Sequence, residues 1–210
     1  INTKYSYLNG AGSYTIPFGA RVVTNEAELR AALATLAAAG QGGTIFINGT
    51  ITITYFLDLT IPGLTIMGFN PSQSKIVLSD TLNAGLDTVQ RMIIRPESQN
   101  ITIKGITIQG NNLSPRRNGI ESENIRDNSG LTIENCEIKK VQFGIRQTGG
   151  EASTPNRNIR ILNNRISDFV GGIYWVWSTF GLDVIGNTII GDGSEYDKDK
   201  ISLQNAIWIG

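Results

Sequence analysis

The sequence lacks histidine altogether and holds a single cysteine, Cys136. Without histidine, a histidine-based triad, a histidine general base and the usual zinc sites are excluded. One cysteine allows neither an internal disulfide nor a cysteine-rich metal cluster. The chain also has no apolar run of about 18 residues, so we expect no membrane-spanning helix.

Charge is scarce and balanced. Charged residues make up 17% of the 210 residues, and 18 basic against 18 acidic side chains give a net charge of zero. Nucleic-acid binding and docking on anionic membranes both need a basic surplus, so we expect neither partner. The length suits one domain whose core needs no disulfide or metal.

Four residue types dominate what is present, with 30 Ile, 19 Thr, 19 Asn and 24 Gly. Ile and Thr favour strands, whereas Gly and Asn supply tight turns with positive φ. The composition therefore predicts an all-β chain. The one helical pattern covers about 25–39: Asn25 can cap it, Glu28 follows at capping-box spacing, apolar residues recur at helical spacing, and Gly40 ends it.

An internal repeat organises the remainder of the chain. Its template places apolar residues at positions one, three and eight, with Gly or Asn at position five. Four copies begin at Ile101, Leu131, Ile159 and Leu182, and a weaker one begins at Leu64. Another short strand stands between successive copies or after the last, marked by Ile120, Ile145, Ile173 and Ile207.

Three short strands per turn of roughly 25 residues are typical of a parallel β-helix, in which every rung buries an Ile row against the next. A β-sandwich is the alternative, but it leaves unexplained the template's fixed first-to-last spacing of seven. We predict one domain over residues 1–210, with rungs from about 43 to 210. Because the chain starts at Ile1 and stops inside a strand, we expect a longer parent that continues beyond Gly210.

Two pairs of segments resemble the pectin-lyase-like superfamily. Residues 22–33 with 43–51 are similar to its N-terminal cap and first strand, and residues 92–95 with 100–103 to its next rungs. The resemblance runs from Arg21 to Gly210 and implies a right-handed, single-stranded parallel β-helix with an N-terminal capping α-helix. It implies no single activity, because the superfamily includes lyases, hydrolases, epimerases, phage tailspikes and adhesins.

The resemblance to calcium-dependent pectate lyases fails at the residues that carry their chemistry. Their Asp-His-Cys triplet reads Glu134-Asn135-Cys136 here, and their calcium-binding positions look like Phe143 and Gln147. Their catalytic Arg has no counterpart in residues 184–200. We therefore expect an activity other than that of these lyases, and no resident cofactor. Calcium is the one ion for which the chain offers candidate ligands, the carboxylates of the acidic run 192–200.

Several other residues are candidates for a structural or a chemical role. Asn163, Asn164 and Asn187 at the bends are predicted to bond neighbouring rungs, and Cys136, at the equivalent template position, to be buried. Arg116 and Arg117 are either a solvated pair or a clamp for a sugar carboxylate. Glu121 and Glu123 lie two apart on one strand, which allows the carboxylate separation of a glycosidase.

Strand alternation also predicts an outward row. If the four inter-template Ile residues point inward, the residue after each points outward, and the residue after Ile94 extends the row: Arg95, Glu121, Arg146, Tyr174 and Trp208. Tyr and Trp offer flat faces to sugars, and Arg offers a fork of donors. Glu121 and Arg146 are the catalytic candidates. The same residues could instead form an exposed Glu121–Arg146 ion pair beside ordinary surface aromatics.

Two hypotheses follow. One is a carbohydrate-active β-helix that binds an extracellular polysaccharide and cleaves it by elimination or hydrolysis. The other is the non-catalytic, glycan-binding body of a phage tailspike or bacterial surface adhesin. Either places the chain outside the cell, on its surface or on a virion. Trimers are common among the tailspikes that it resembles, so a homotrimer stays open.

Overall fold

The computed structural model describes residues 14–79, 92–111, 117–123, 127–148, 156–175, 179–191 and 207–209. Its elements, in chain order, are β1 (Arg21–Val23), α1 (Glu26–Ala39), β2 (Thr44–Ile47), β3 (Thr50–Ile53), β4 (Leu57–Leu59), β5 (Thr65–Gly68), β6 (Lys75–Leu78), β7 (Met92–Pro96), β8 (Thr102–Lys104), β9 (Thr107–Gln109), β10 (Asn118–Glu123), β11 (Thr132–Glu134), β12 (Glu137–Thr148), β13 (Asn156–Leu162), β14 (Arg165–Trp175), β15 (Thr179–Ile185), β16 (Thr188–Ile190) and β17 (Ile207–Ile209).

The strands form three faces of a parallel β-helix. Face A has the order β1-β2-β5-β8-β11-β13-β15. The two long strands β12 and β14 bend, so their first halves belong to face B with β3, β6, β9 and β16, and their second halves to face C with β4, β7, β10 and β17. Every pairing between the described strands is parallel, which excludes the sandwich built from hairpins.

The core consists of apolar columns that stack from rung to rung. On face A, Ile66 pairs with Ile103, which pairs with Ile133, and all three are fully buried. On face C, the predicted column is present: Ile120, Ile145 and Ile173 are buried, whereas Ile207 in β17 is 46% exposed. Each fully buried Ile contributes about 2 kcal/mol of transfer free energy, so the columns dominate the stability of the fold.

The bends repeat with the rungs. Gly105, Asn135, Asn163 and Gly186 each begin a bend with φ between 52° and 68°, a region that Gly and Asn tolerate best. Asn163 therefore shapes the backbone. The following residues form the predicted ladder: the Asn164 Oδ1 accepts from the Cys136 N–H at 2.9 Å, and Asn187 repeats that contact one rung on.

Helix α1 lies against β1 and β3, at the first rungs. Asn25 caps it by accepting from the Glu28 N–H at 3.0 Å, and Gly40 ends it in the left-handed region with φ 59°. The Glu28 carboxylate accepts from the Thr24 N–H at 2.7 Å, one residue before the partner that a standard capping box would use. The predicted cap is therefore confirmed.

Candidate functional site

A row of residues crosses face C, one from each rung, with rungs about 4.8 Å apart. The strand registers confirm that the five residues predicted for the row are neighbours and add one more, Asp58, beside Arg95. Alternation in Leu57–Leu59 matches that in β7, a signal that lies outside the repeated template. We call this set the face C row: Asp58, Arg95, Glu121, Arg146, Tyr174 and Trp208.

The centre of the row differs from the expectation of an exposed ion pair. Glu121 is only 4% exposed, and its carboxylate lies 3.9 Å from the Arg146 guanidinium. The buried Asn118 amide donates to the same carboxylate, and its Oδ1 accepts from the Phe143 N–H at 3.2 Å. The prediction of an exposed pair is therefore wrong, because side chains from its own and the next rung enclose Glu121.

Two neighbouring aromatic rings lie next to the Arg146 guanidinium. Its guanidinium carbon lies 5.0 Å from the Phe143 ring centre and 5.9 Å from that of Tyr174. The two rings are themselves 5.6 Å apart and tilted. The sequence did not predict that Phe143 lies beside Arg146, because alternation places Phe143 on the same side of the strand as the buried Ile145. We call these three residues the aromatic platform.

The platform occupies space that a glycine leaves open. Gly171 pairs with Phe143 in the strand register, and a Cβ built on Gly171 would lie 2.5 Å from the Phe143 ring. The ring therefore lies over the backbone of the next rung. Both rings remain partly exposed, so the platform presents aromatic surface to solvent.

The other end of the row carries a second charged group. The Arg95 Nε donates to Asp58 at 2.7 Å and lies 3.3 Å from the Glu97 carboxylate. Its guanidinium lies 5.0 Å from the centre of the Phe56 ring. Tyr55, beside Phe56, is 42% exposed. Arginine with aromatic support therefore occurs twice along face C, two rungs apart.

The structure describes only some of the residues predicted for the arginine clamp and the carboxylate pair. Arg117 is 8% exposed, and burial lowers the pKa of its guanidinium, so it is not a solvated surface residue. Arg116, its intended partner, lies outside the described residues, as do the side chains of Glu123 and Trp208. The clamp and the carboxylate pair therefore stay predictions.

The comparisons with known proteins identify the family. The model for the right-handed β-helix region matches residues 59–191, more than half of the chain. The chain belongs to this family. Comparison with curated proteins gave no match, and comparison with solved structures gave none either. The predicted right-handed parallel β-helix is thereby confirmed, and it is the fold that the pectin-lyase-like resemblance implies.

In this β-helix, the place of the lyase triplet is structural. Burial raises the pKa of Cys136 to about 12, as expected for a buried thiol that is not a nucleophile. Asn135 takes the bend conformation, and its side chain donates to the Tyr14 hydroxyl at 2.8 Å. These contacts hold the N-terminal segment against the rungs.

The described ranges contain neither a candidate metal cluster nor a candidate membrane-spanning helix. Those ranges hold no group of three or more acidic or cysteine side chains arranged for a metal ion, and the acidic run 192–200 lies outside them. Within the same ranges, no helix has the length and apolar character needed to span a bilayer.

Proposed function

We propose that this β-helix binds an extracellular polysaccharide laid along the face C row, across the rungs. The observation that carries the proposal is the aromatic platform, in which the Arg146 guanidinium lies over the neighbouring rings of Phe143 and Tyr174. Aromatic rings contact the C–H faces of sugars, and a guanidinium edge donates to their hydroxyl groups. The four residues from Glu121 to Trp208 span roughly 14 Å, the length of a few sugar units.

Binding is better supported than cleavage. A general acid or base must come within hydrogen-bond reach of the substrate. Glu121 is 4% exposed, and its carboxylate is already engaged by Asn118 and Arg146. This arrangement suits Glu121 to positioning Arg146. The proposal therefore favours a recognition module, such as a tailspike or adhesin body, and the catalytic roles of Glu121 and Arg146 stay predictions.

The test is a panel of polysaccharides, with and without calcium, in which binding, unsaturated products and new reducing ends are all measured. Tyr174→Ala should raise the Kd at least about ten-fold, which corresponds to about 1.4 kcal/mol. Arg146→Lys retains the charge facing Glu121 but removes the flat stacking plane, so it should also weaken binding.

Face A offers a matched control. The Arg157 guanidinium carbon lies 5.1 Å from the centre of the exposed Phe180 ring, an arrangement like that of the platform. Phe180→Ala and Arg157→Lys should leave the Kd unchanged. Equal losses on both faces, or no loss in either platform variant, would refute the proposed site.

A further inference from the structure

The charges of the face C row neutralise one another. Arg95 lies within 3.3 Å of two carboxylates, those of Asp58 and Glu97. Arg146 faces the Glu121 carboxylate at 3.9 Å. The described side chains of the face C row and its neighbour Glu97 therefore comprise three carboxylates and two guanidinium groups.

The described residues close to the face C row add no surplus of positive charge. Arg117 directly precedes β10, four residues before Glu121 and about 13 Å away along an extended chain, and it is 8% exposed. The whole chain is also neutral, with 18 residues of each sign. A polyanion would consequently gain no long-range attraction toward this face.

We infer that the polysaccharide bound at this row is uncharged, an inference that rests on the proposed function. A uronate carboxylate approaching Arg95 would have to displace Asp58, which accepts from the Arg95 Nε at 2.7 Å, and Asp58 would lose a charge-assisted contact. A uronate carboxylate approaching Arg146 would come close to the Glu121 carboxylate, which lies 3.9 Å from the same guanidinium, and the two like charges would repel. A neutral sugar avoids this exchange, because it stacks on the rings and bonds to guanidinium N–H groups through its hydroxyls.

The experiment compares ligands that share a backbone and differ in charge. The probes are polygalacturonate against its full methyl ester, and C6-oxidised cello-oligosaccharides against the unoxidised ones. Kd is measured at about 0.02 M and about 0.5 M NaCl, which moves the screening length from about 20 Å to under about 5 Å. At least one neutral probe should bind about ten-fold more tightly than its acidic counterpart, with a Kd that salt changes less than about two-fold.

A variant of one row carboxylate strengthens the test. Asp58→Asn removes a negative charge beside Arg95 and should lower the ratio of acidic to neutral Kd several-fold. Asp183→Asn is the control, because it removes a carboxylate that lies 3.9 Å from an arginine, Arg160, on face A and away from the row. It should leave the ratio unchanged.

The possible failures are distinguishable. Acidic probes that bind as tightly as the neutral ones, or binding that salt weakens more than about five-fold, would overturn the inference and leave the polysaccharide site standing. Absence of binding by every probe of either charge would overturn both the inference and the proposed function.

Discussion

Replacing Asn164 with Ala tests whether the ladder at the bends stabilises the β-helix. Asn164 is 1% exposed, and its amide connects three rungs. Its Oδ1 accepts from the Cys136 N–H at 2.9 Å, and its Nδ2 donates to the Ile133 carbonyl at 2.9 Å and to the Asn187 Oδ1 at 3.0 Å. Ala removes all three contacts.

The magnitude follows from the one backbone group that would lose its partner. A buried polar group without a hydrogen bond costs about 1–3 kcal/mol, so the Cys136 N–H costs about 2 kcal/mol, whereas the Ile133 carbonyl keeps its bond in the β11–β13 ladder. For a domain of this size, 1 kcal/mol corresponds to about 2–4 °C in Tm. Asn164→Ala should therefore lower Tm by about 6 °C.

Thermal unfolding followed by circular dichroism measures the shift, and hydrogen exchange at the Cys136 amide localises it. Asn163→Gly is the matched control, because the adjacent Asn163 is exposed and has φ 53°, which Gly adopts without strain. It should change the free energy of unfolding by less than about 1 kcal/mol. If Asn164→Ala melts with the wild type and the Cys136 amide stays protected, the ladder is not a stabilising element.

Two further predictions concern packing and pH. In Gly110→Ala, the new Cβ would lie 2.0 Å from the Lys140 carbonyl oxygen, so the variant should lose about 1–3 kcal/mol in urea unfolding; Gly191→Ala, whose nearest neighbour is 3.9 Å away, should match the wild type, and equal stability of the two variants would contradict the reasoning. The Cys136 thiol keeps its proton in the folded state to about pH 12, against an ordinary pKa of 9.0. Because the unfolded chain releases that proton earlier, the free energy of unfolding should be undiminished below pH 9 and fall by up to about 4 kcal/mol toward pH 12. Cys136→Ala should lack this component, and parallel pH profiles for the two proteins would refute it.

The fold was predictable because each rung repeats the same places. Ile103, Ile133 and Ile161 occupy one template position, and the structure pairs them in register. Strand bounds were less predictable. The template and the inter-template strand read as separate segments, whereas β12 runs without interruption from Glu137 to Thr148. The bend at Lys140, with φ 56°, changes the parity of the alternation between the buried Ile138 and Val141, so the sequence pattern divides a strand that the structure keeps continuous.

The candidate site was predictable in its register and not in its burial. Alternation is a property of one strand, so it correctly placed Arg146 beside Glu121. Exposure depends on neighbouring rungs, and only the structure shows that Asn118 and Arg146 enclose Glu121. The position of Phe143 over Gly171 likewise depends on a bend in the strand, which parity does not capture.

The order of charges along the row has a physical reason that also bears on its ligand. In-register stacking sets residues of successive rungs about 4.8 Å apart, where two like charges repel by about 3 kcal/mol at an effective dielectric constant of 20. The row avoids this cost by alternating its signs, from Asp58 and Arg95 to Glu121 and Arg146. Charges arranged in this way interact mainly with one another. What remains available to a ligand is the aromatic surface and the guanidinium N–H groups, which are suited to the C–H faces and hydroxyl groups of an uncharged sugar chain.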